Sequence, residues 1–294
     1  MSVELTNAQR AEVLTQALPY IQKYYNKIIV VKYGGNAMVN EHLKQQVMED
    51  IVLLQLIGVK VVLVHGGGPE ITEMLNKIGK ESKFVDGLRV TDKETAEVVQ
   101  MVLAGKINKT LVNLLEMNGG KAMGISGVDG SMICARPKND KLGFVGSITG
   151  VNVSPILDVM EKGYIPVVST IGCDKEGNVY NINADTAAAY IAGAMGAERL
   201  ISMTDIAGIF RDIDDPKSMI HDLTVSEAVE LFREGVISGG MIPKVECCIE
   251  AISHGVKKVI IMDGRVPHAI LIELLTDEGA GTMIVGDEEN DKEH

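Results

Sequence analysis

The residue types able to do chemistry in this chain are lysines, one aspartate, one arginine and several glycine-rich turns. His65-Gly66-Gly67-Gly68-Pro69 follows a short apolar run. Three glycines let the backbone approach a ligand closely, and a proline at the start of a helix leaves neighbouring amides free to point at an anion. Carboxylate or phosphate binding follows. Lys32 ends an earlier apolar run beside Gly34 and Gly35. A lysine there sets a cation where a migrating phosphoryl group needs positive charge. In Ser238-Gly239-Gly240-Met241-Ile242-Pro243-Lys244, Lys244 falls in the first turn of a helix. That is a poor place for a cation unless an anion also binds there. Asp185, at the end of Asn181-Ile182-Asn183-Ala184-Asp185, either caps an alanine-rich helix or orients lysines. Arg89 offers a guanidinium able to grip a carboxylate bidentately. His65 and His268 read as structural or capping, and the 15 methionines as core filler.

Other chemistries are disfavoured. The chain lacks the G-x-S-x-G elbow that would turn His-Gly-Gly-Gly into a hydrolase oxyanion hole. It has neither G-x-x-x-x-G-K-[ST] nor a strand-following G-x-G-x-x-G. The formal net charge of −12 repels nucleic acid and anionic membranes, and 4% aromatic content without tryptophan gives no stacking platform. Cys134, Cys173, Cys247 and Cys248 form no C-x-x-C, so no metal site is expected and buried free thiols in a reducing cytoplasm are. Glu4, Arg10 and Glu12 interrupt any signal-like run, and the apolar stretch 187–197 is too short to span a bilayer.

The elements that must position these residues alternate regularly. Residues 5–25 read as an amphipathic helix, with Leu5, Val13, Leu18, Ile21 and Tyr25 on one side, capping-box spacing at Thr6 and Gln9, and a kink at Pro19. It packs either on its own domain or on another subunit. Strands follow at 28–31, 59–64, 121–125, 165–168, 200–203, 259–262 and 282–285. Helices are expected at 41–57, from Glu70, at 93–117 as one or two helices with Gly105 interrupting, and at 185–196, 225–234 and 243–254. Residues 131–149 look like a β-hairpin, and the acidic tail from Asp287 looks frayed. Short apolar strands between helices imply a mostly parallel sheet covered on both faces, with ligands bound beyond the strands' carboxyl ends. The turns at 34–35, 66–68, 126–127 and 207–208 should gather along that edge. No low-complexity linker separates two lobes, so they must share or adjoin one sheet.

Taken together, these motifs resemble the amino-acid kinase family. The resemblance covers essentially the whole chain. It rests on Val30-Val31-Lys32-Tyr33-Gly34-Gly35-Asn36-Ala37-Met38, Val64 to Pro69, Phe84-Val85-Asp86-Gly87-Leu88-Arg89-Val90-Thr91, Asn181 to Asp185 and Gly239 to Lys244. The Gly-Leu-Arg-Val-Thr-Asp and Asn-Ile-Asn-Ala-Asp stretches point to the acetylglutamate branch. The resemblance implies an α/β fold, a three-layer αβα sandwich with a central, mostly parallel sheet plus an extra N-terminal helix. It implies an oligomerisation and regulatory helix at 1–26, an acetylglutamate-binding lobe at 27–182 and an ATP-binding lobe at 183–294. The implied reaction is ATP-dependent phosphorylation of the γ-carboxylate of N-acetyl-L-glutamate, with Mg2+ held mainly by phosphates and water.

By carry-over, Lys32 and Lys244 stabilise the transferring phosphoryl group and Asp185 holds both lysines. Gly67, Gly68, Arg89 and Asn181 bind the substrate. Gly34, Gly35, Gly66, Thr204, Asp205, Gly208, Gly240 and Met241 line the phosphate and nucleotide site. The helix with Tyr20, and Glu273 to Gly281, resemble the arginine-inhibited form. This implies an effector site at Tyr20, Glu273 and Gly279 and a homohexamer built as a trimer of dimers. Val128 stands where relatives commonly carry lysine. Two other readings stay open: a sibling kinase acting on glutamate or carbamate, and a non-enzymatic arginine-sensing protein on this scaffold.

Overall fold

A computed structural model describes residues 5–38 and 40–288. Eight strands build one sheet: β1 (Ile28–Tyr33), β2 (Lys60–His65), β3 (Ala122–Ser126), β4 (Ile165–Ser169), β5 (Arg199–Thr204), β6 (Asp222–Thr224), β7 (Lys258–Asp263) and β8 (Gly281–Val285). Their order is β6-β8-β7-β5-β1-β2-β4-β3. From β7 to β3 every neighbouring pair is parallel, whereas β8 runs antiparallel to β7 and carries β6 alongside it. Strands from both halves of the chain share this sheet, and β1 and β5 adjoin at its middle. In register, Val31 faces Leu63 on one side and Ile201 on the other. The central strands are Val- and Ile-rich because both faces are buried.

Alternate strand residues feed two cores. Ile29, Val31 and Leu63 point to the face covered by α2 (Leu18–Tyr24), α3 (Glu41–Leu56), α4 (Gly68–Lys77), α5 (Lys93–Gln100), α6 (Asn108–Met117) and α11 (Ala269–Leu275). Val30, Val62 and Val64 point to the face covered by α7 (Ser154–Glu161), α8 (Ala184–Ala194), α9 (Val225–Arg233) and α10 (Ile242–Ser253). The small side chains Ala187, Ala188, Ala189 and Ala192 are fully buried, which lets α8 lie close over the sheet. This is the expected three-layer sandwich.

Several local expectations need correction. Of the one or two helices expected at 93–117 the chain forms one continuous rod, and the interruption at Gly105 is what falls, because that residue lies inside a π-helical stretch, Met101–Ile107, that joins α5 to α6. Its wider turn absorbs the glycine without a break. The 131–149 hairpin is real, as Ile133–Pro137 against Gly146–Val151, but it is half of a four-stranded sheet completed by Ile171–Cys173 and Val179–Asn181. Helices α7 and α11 carry too few periodic positions to have been read from sequence. At the amino end, Thr6 and Gln9 form the capping box of α1 (Asn7–Gln16), and the break before Pro19 falls at Ala17. No residue of α1 is buried, and Val13, Leu14 and Leu18 are all exposed. Asp287 is anchored rather than frayed, accepting from the Ser226 amide at 3.0 Å and its hydroxyl at 2.9 Å; the acidic tail beyond Glu288 lies outside the described residues. Among the described residues, no helix is long and apolar enough to cross a membrane.

Candidate active site

The parallel strands all end at one edge, so the turns after β1, β2, β3 and β5 converge there, as the glycine pattern implies. Lys32, the fifth residue of β1, is buried, and its ammonium pairs with Asp185 Oδ1 at 2.9 Å. It also donates to the Met203 carbonyl at 3.4 Å. Asp185 sits in the first turn of α8, but the helix is capped by Asn183, whose side chain accepts from the Thr186 amide at 3.0 Å. The capping alternative for Asp185 is therefore replaced by an ion pair. Ser202 Oγ donates to the same carboxylate at 3.2 Å. Burial pushes the Asp185 carboxyl up, yet Lys32, Lys244 and Ser202 outweigh it and hold it below the ordinary carboxylate range.

Lys244, in the first turn of α10, donates to Thr204 Oγ1 at 2.6 Å, and Thr204 in turn donates to Asp205 Oδ1 at 3.1 Å. Thr204, rather than a direct contact with Asp185, fixes the second lysine. Both ammonium groups nevertheless border one small cleft with Asp185 and Ser202. Two lysines and one carboxylate give this cluster a net positive charge.

A cavity of about 180 Å³ opens beside this cluster, lined by Gly66, Gly67, Gly68, Arg89, Asn181 and Ala184. The amino ends of α4 and α8 both border it, and helix amino termini present free N–H groups to anions. A Cβ at Gly67 would meet the ends of the Ile107 and Leu103 side chains on the π-helical stretch, which would have to shift. Arg89 is buried and held on three sides: by Ser82, by the Gly68 carbonyl and Thr72 Oγ1 (both 2.9 Å), and by the Phe84 ring 4.7 Å away. Desolvation by burial lowers its pKa from the ordinary arginine value. Asn181 donates to Thr91 Oγ1 at 3.4 Å, and its backbone amide donates to Phe144 of the hairpin at 2.8 Å. Sequence reasoning passed over Ser202 and Thr170 and gave Phe84 and Thr91 no role beyond their place in the Arg89 motif; all four are common residue types that only the fold brings to the site.

The remaining positions divide. Gly34 packs against Lys32, and Gly35 takes a positive φ of 69° that favours glycine. Gly239, Gly240 and Met241 form a 3-10 turn leading into α10. Gly208 follows Asp205 in the loop after β5, but its lack of a side chain is explained by Thr282, whose Oγ1 lies 2.6 Å from where a Cβ would be. His65 is fully buried and neutral, its pKa pushed down to about 4 by burial. It bonds the Gly66 carbonyl at 2.9 Å and Asn108 at 3.2 Å, a structural role. His268 caps no helix by its side chain and instead meets the buried Asp50 at 2.6 Å, tying α11 to α3. Among the cysteines, Cys134 is exposed rather than buried. Among the described residues, no three His, Cys, Asp or Glu side chains converge as metal ligands.

A second cavity, about 520 Å³, lies at the opposite end of the sheet, where β5 and β7 begin. Tyr20, Glu273 and Gly279 all line it. Glu273 accepts from the Ala280 amide at 2.8 Å, Tyr20 donates to Asp277 at 2.5 Å, and Arg199 donates to the Tyr24 hydroxyl at 2.8 Å. The three residues singled out in sequence thus share one mixed-charge pocket between α2, α11 and the sheet.

Comparison with known proteins agrees with this geometry. The chain is 56% identical to the acetylglutamate kinase of Brachyspira hyodysenteriae over 95% of its length and 98% of that protein. It is 52% identical to that of Thermosynechococcus vestitus, covering 96% of each chain. Among solved structures, N-acetylglutamate synthase from Neisseria gonorrhoeae, complexed with coenzyme A and N-acetyl-glutamate, superposes with a TM-score of 0.82 at 24% identity; the match covers 94% of this chain and 63% of that one. Carbamate kinase from Giardia lamblia gives 0.66 at 18% identity, over 89% of this chain and 99% of its own. These two structures show a shared fold. The profile described as "Amino acid kinase family" matches residues 27–263, and with the relatives above it establishes that this chain belongs to the amino acid kinase family.

Proposed function

We propose that the chain phosphorylates the γ-carboxylate of N-acetyl-L-glutamate with ATP, giving N-acetylglutamyl 5-phosphate and ADP. The observation that carries this reading is the buried Lys32–Asp185 pair, with Lys244 beside it, between an anion-binding cavity and the loops at 204–208 and 239–241. A substrate carboxylate is already ionised at neutral pH, so its oxygen can attack the γ-phosphorus without a general base. The new bond is carboxylate oxygen to phosphorus; the bond that breaks joins phosphorus to the β–γ bridging oxygen, which leaves with its electron pair on ADP. The barrier is then positioning and repulsion between anions. Lys32 and Lys244 supply charge on either side of the transferring group, and Asp185 keeps Lys32 aligned. Amides at Gly67 and Gly68 face the carboxylate and phosphoryl oxygens. Arg89 grips the substrate's α-carboxylate, and Asn181 binds its other polar groups. Gly34, Gly35, Gly66, Thr204, Asp205, Gly240 and Met241 border the nucleotide. Mg2+, when bound with ATP, neutralises phosphate charge. That metal would be held chiefly by phosphates and water.

We further read the second cavity as an arginine effector site, with Glu273 and Asp277 for the guanidinium and Lys258 and Arg199 near the carboxylate. The exposed apolar side chains of α1 support its packing on another subunit of a homohexamer in the cytoplasm. Deleting residues 1–25 should abolish both the hexamer and arginine sensitivity. A truncated enzyme that keeps both contradicts this part. The substrate is tested by steady-state comparison of acceptors: kcat/KM should favour N-acetyl-L-glutamate over free L-glutamate and carbamate. A preference for either alternative acceptor moves the chain to a sibling activity.

A further inference from the structure

Two of the four thiols are neighbours. Cys134 lies on the strand Ile133–Pro137 and Cys173 on Ile171–Cys173, and the two residues are register partners in that parallel pair. Register partners project to the same face of a sheet, and adjacent strands run about 4.8 Å apart. That separation lies within the roughly 4.4–6.8 Å between Cα atoms that a disulfide spans. The face they share is the outer one: Ile133 and Ala135 turn inward, while Cys134 is exposed and Cys173 partly so. The Ser131 carbonyl accepts from Cys134 Sγ at 3.5 Å. The strand is irregular between Cys134 and Ala135, where its register against Gly146–Val151 shifts.

We propose that Cys134 and Cys173 are an oxidisable dithiol, whose disulfide staples the 133–151 hairpin to the strand that leads into Asn181. The oxidant is a peroxide. Cys134, the more exposed, attacks one peroxide oxygen; the O–O bond breaks, water leaves and Cys134 becomes a sulfenic acid. Cys173 then attacks that sulfur; the S–O bond breaks, and the leaving oxygen departs as water with the Cys173 proton. Two thiols give up two electrons, and hydrogen peroxide becomes two waters. The staple matters because the hairpin reaches the substrate cavity: Val145 lines it and bridges to Asn181.

The test treats the reduced, full-length protein with hydrogen peroxide and follows intact mass, free thiols and peptide maps. The expected result is a loss of about 2 Da, two of four thiols protected from alkylation, and a dithiothreitol-sensitive peptide joining Cys134 to Cys173. Amide exchange across 133–151 slows in the oxidised protein. Cys134→Ser and Cys173→Ser each prevent the mass loss, and Cys247→Ser keeps it. Four thiols left free, oxygen added to Cys134 with Cys173 still alkylatable, or links only between chains would overturn the pairing. A linked peptide with unchanged exchange across the hairpin would overturn the stapling.

Discussion

Replacing Asp185 by asparagine removes one charge and little else. The asparagine keeps the shape and can still accept from Ser202, now 3.2 Å from the carboxylate. What is lost is the ion pair with Lys32 at 2.9 Å. At an effective dielectric of about 20, the gross attraction at that distance is roughly 6 kcal/mol. Desolvation of both partners cancels part of it, and breaking a buried pair on one side costs about 3–5 kcal/mol. Lys32 keeps the long contact to the Met203 carbonyl, and the Asp185 side chain is 23% exposed, so solvent screens part of the pair and we expect a stability loss near the lower bound, about 3 kcal/mol. The catalytic effect has a different signature. Lys32 loses its alignment, so kcat should fall about 100-fold or more. The cleft gains one net positive charge, so KM for ATP should stay level or fall. Urea denaturation gives the first number and steady-state kinetics the second, with circular dichroism confirming the fold. A kcat within about threefold of the parent would refute the claim that this pair organises the phosphoryl site.

Three other expectations follow from particular contacts. Gly67→Ala forces a methyl against Ile107 and Leu103 and should cost about 1–3 kcal/mol of stability while raising KM for the acceptor, measured by denaturation and kinetics together. Glu273→Gln should leave kcat without arginine unchanged and raise the arginine concentration for half-inhibition at least about tenfold in an inhibition titration, since a charge-assisted contact is worth about 1.5–3 kcal/mol. Asp50 and His65 should tilt the pH dependence of stability in opposite directions. Burial pushes Asp50 up to about 6, so its contribution is full below about pH 4 and is lost as pH rises through 6; burial pushes His65 down to about 4, so its contribution is full above about 6.5 and is lost as pH falls toward 4. Each spans about 3 kcal/mol, and in the parent they largely cancel. Asp50→Asn should therefore steepen the acid loss and His65→Gln should reverse the slope, as denaturation at pH 4.5, 5.5 and 7 would show.

Much of the site was legible because its chemistry uses residue types with few other reasons to stand where they do. A lysine ending a buried strand, three successive glycines, and a lysine in a first helical turn each break a local rule, and all of them border the two clefts at the carboxyl edge of the sheet. Strands β1, β2, β4, β5 and β7 were legible for the same reason, as apolar runs too short for helices. Ser202 and Thr204 were not legible as supports of Asp185 and Lys244. A serine or threonine near a strand end is ordinary, and only pairing with β1 and packing under α8 and α10 bring each to its partner. Gly208 was legible as special, but its packing against Thr282 was not, because nothing local reveals that Thr282 arrives from the far end of the chain. The π-helical stretch escaped because Gly105 resembles a helix breaker, whereas Leu103 and Ile107 use that stretch to pack on Gly67. The outer face of Cys134 escaped because isolated cysteines are ordinarily buried.

The most direct measurement of the central claim is trapping of the acyl phosphate. Incubation with ATP, Mg2+, N-acetyl-L-glutamate and hydroxylamine should yield the γ-hydroxamate in step with ADP, and Lys32→Met or Lys244→Met should suppress both. ADP formed without hydroxamate, or hydroxamate formed only when another acid replaces the acetylated substrate, would contradict the assignment.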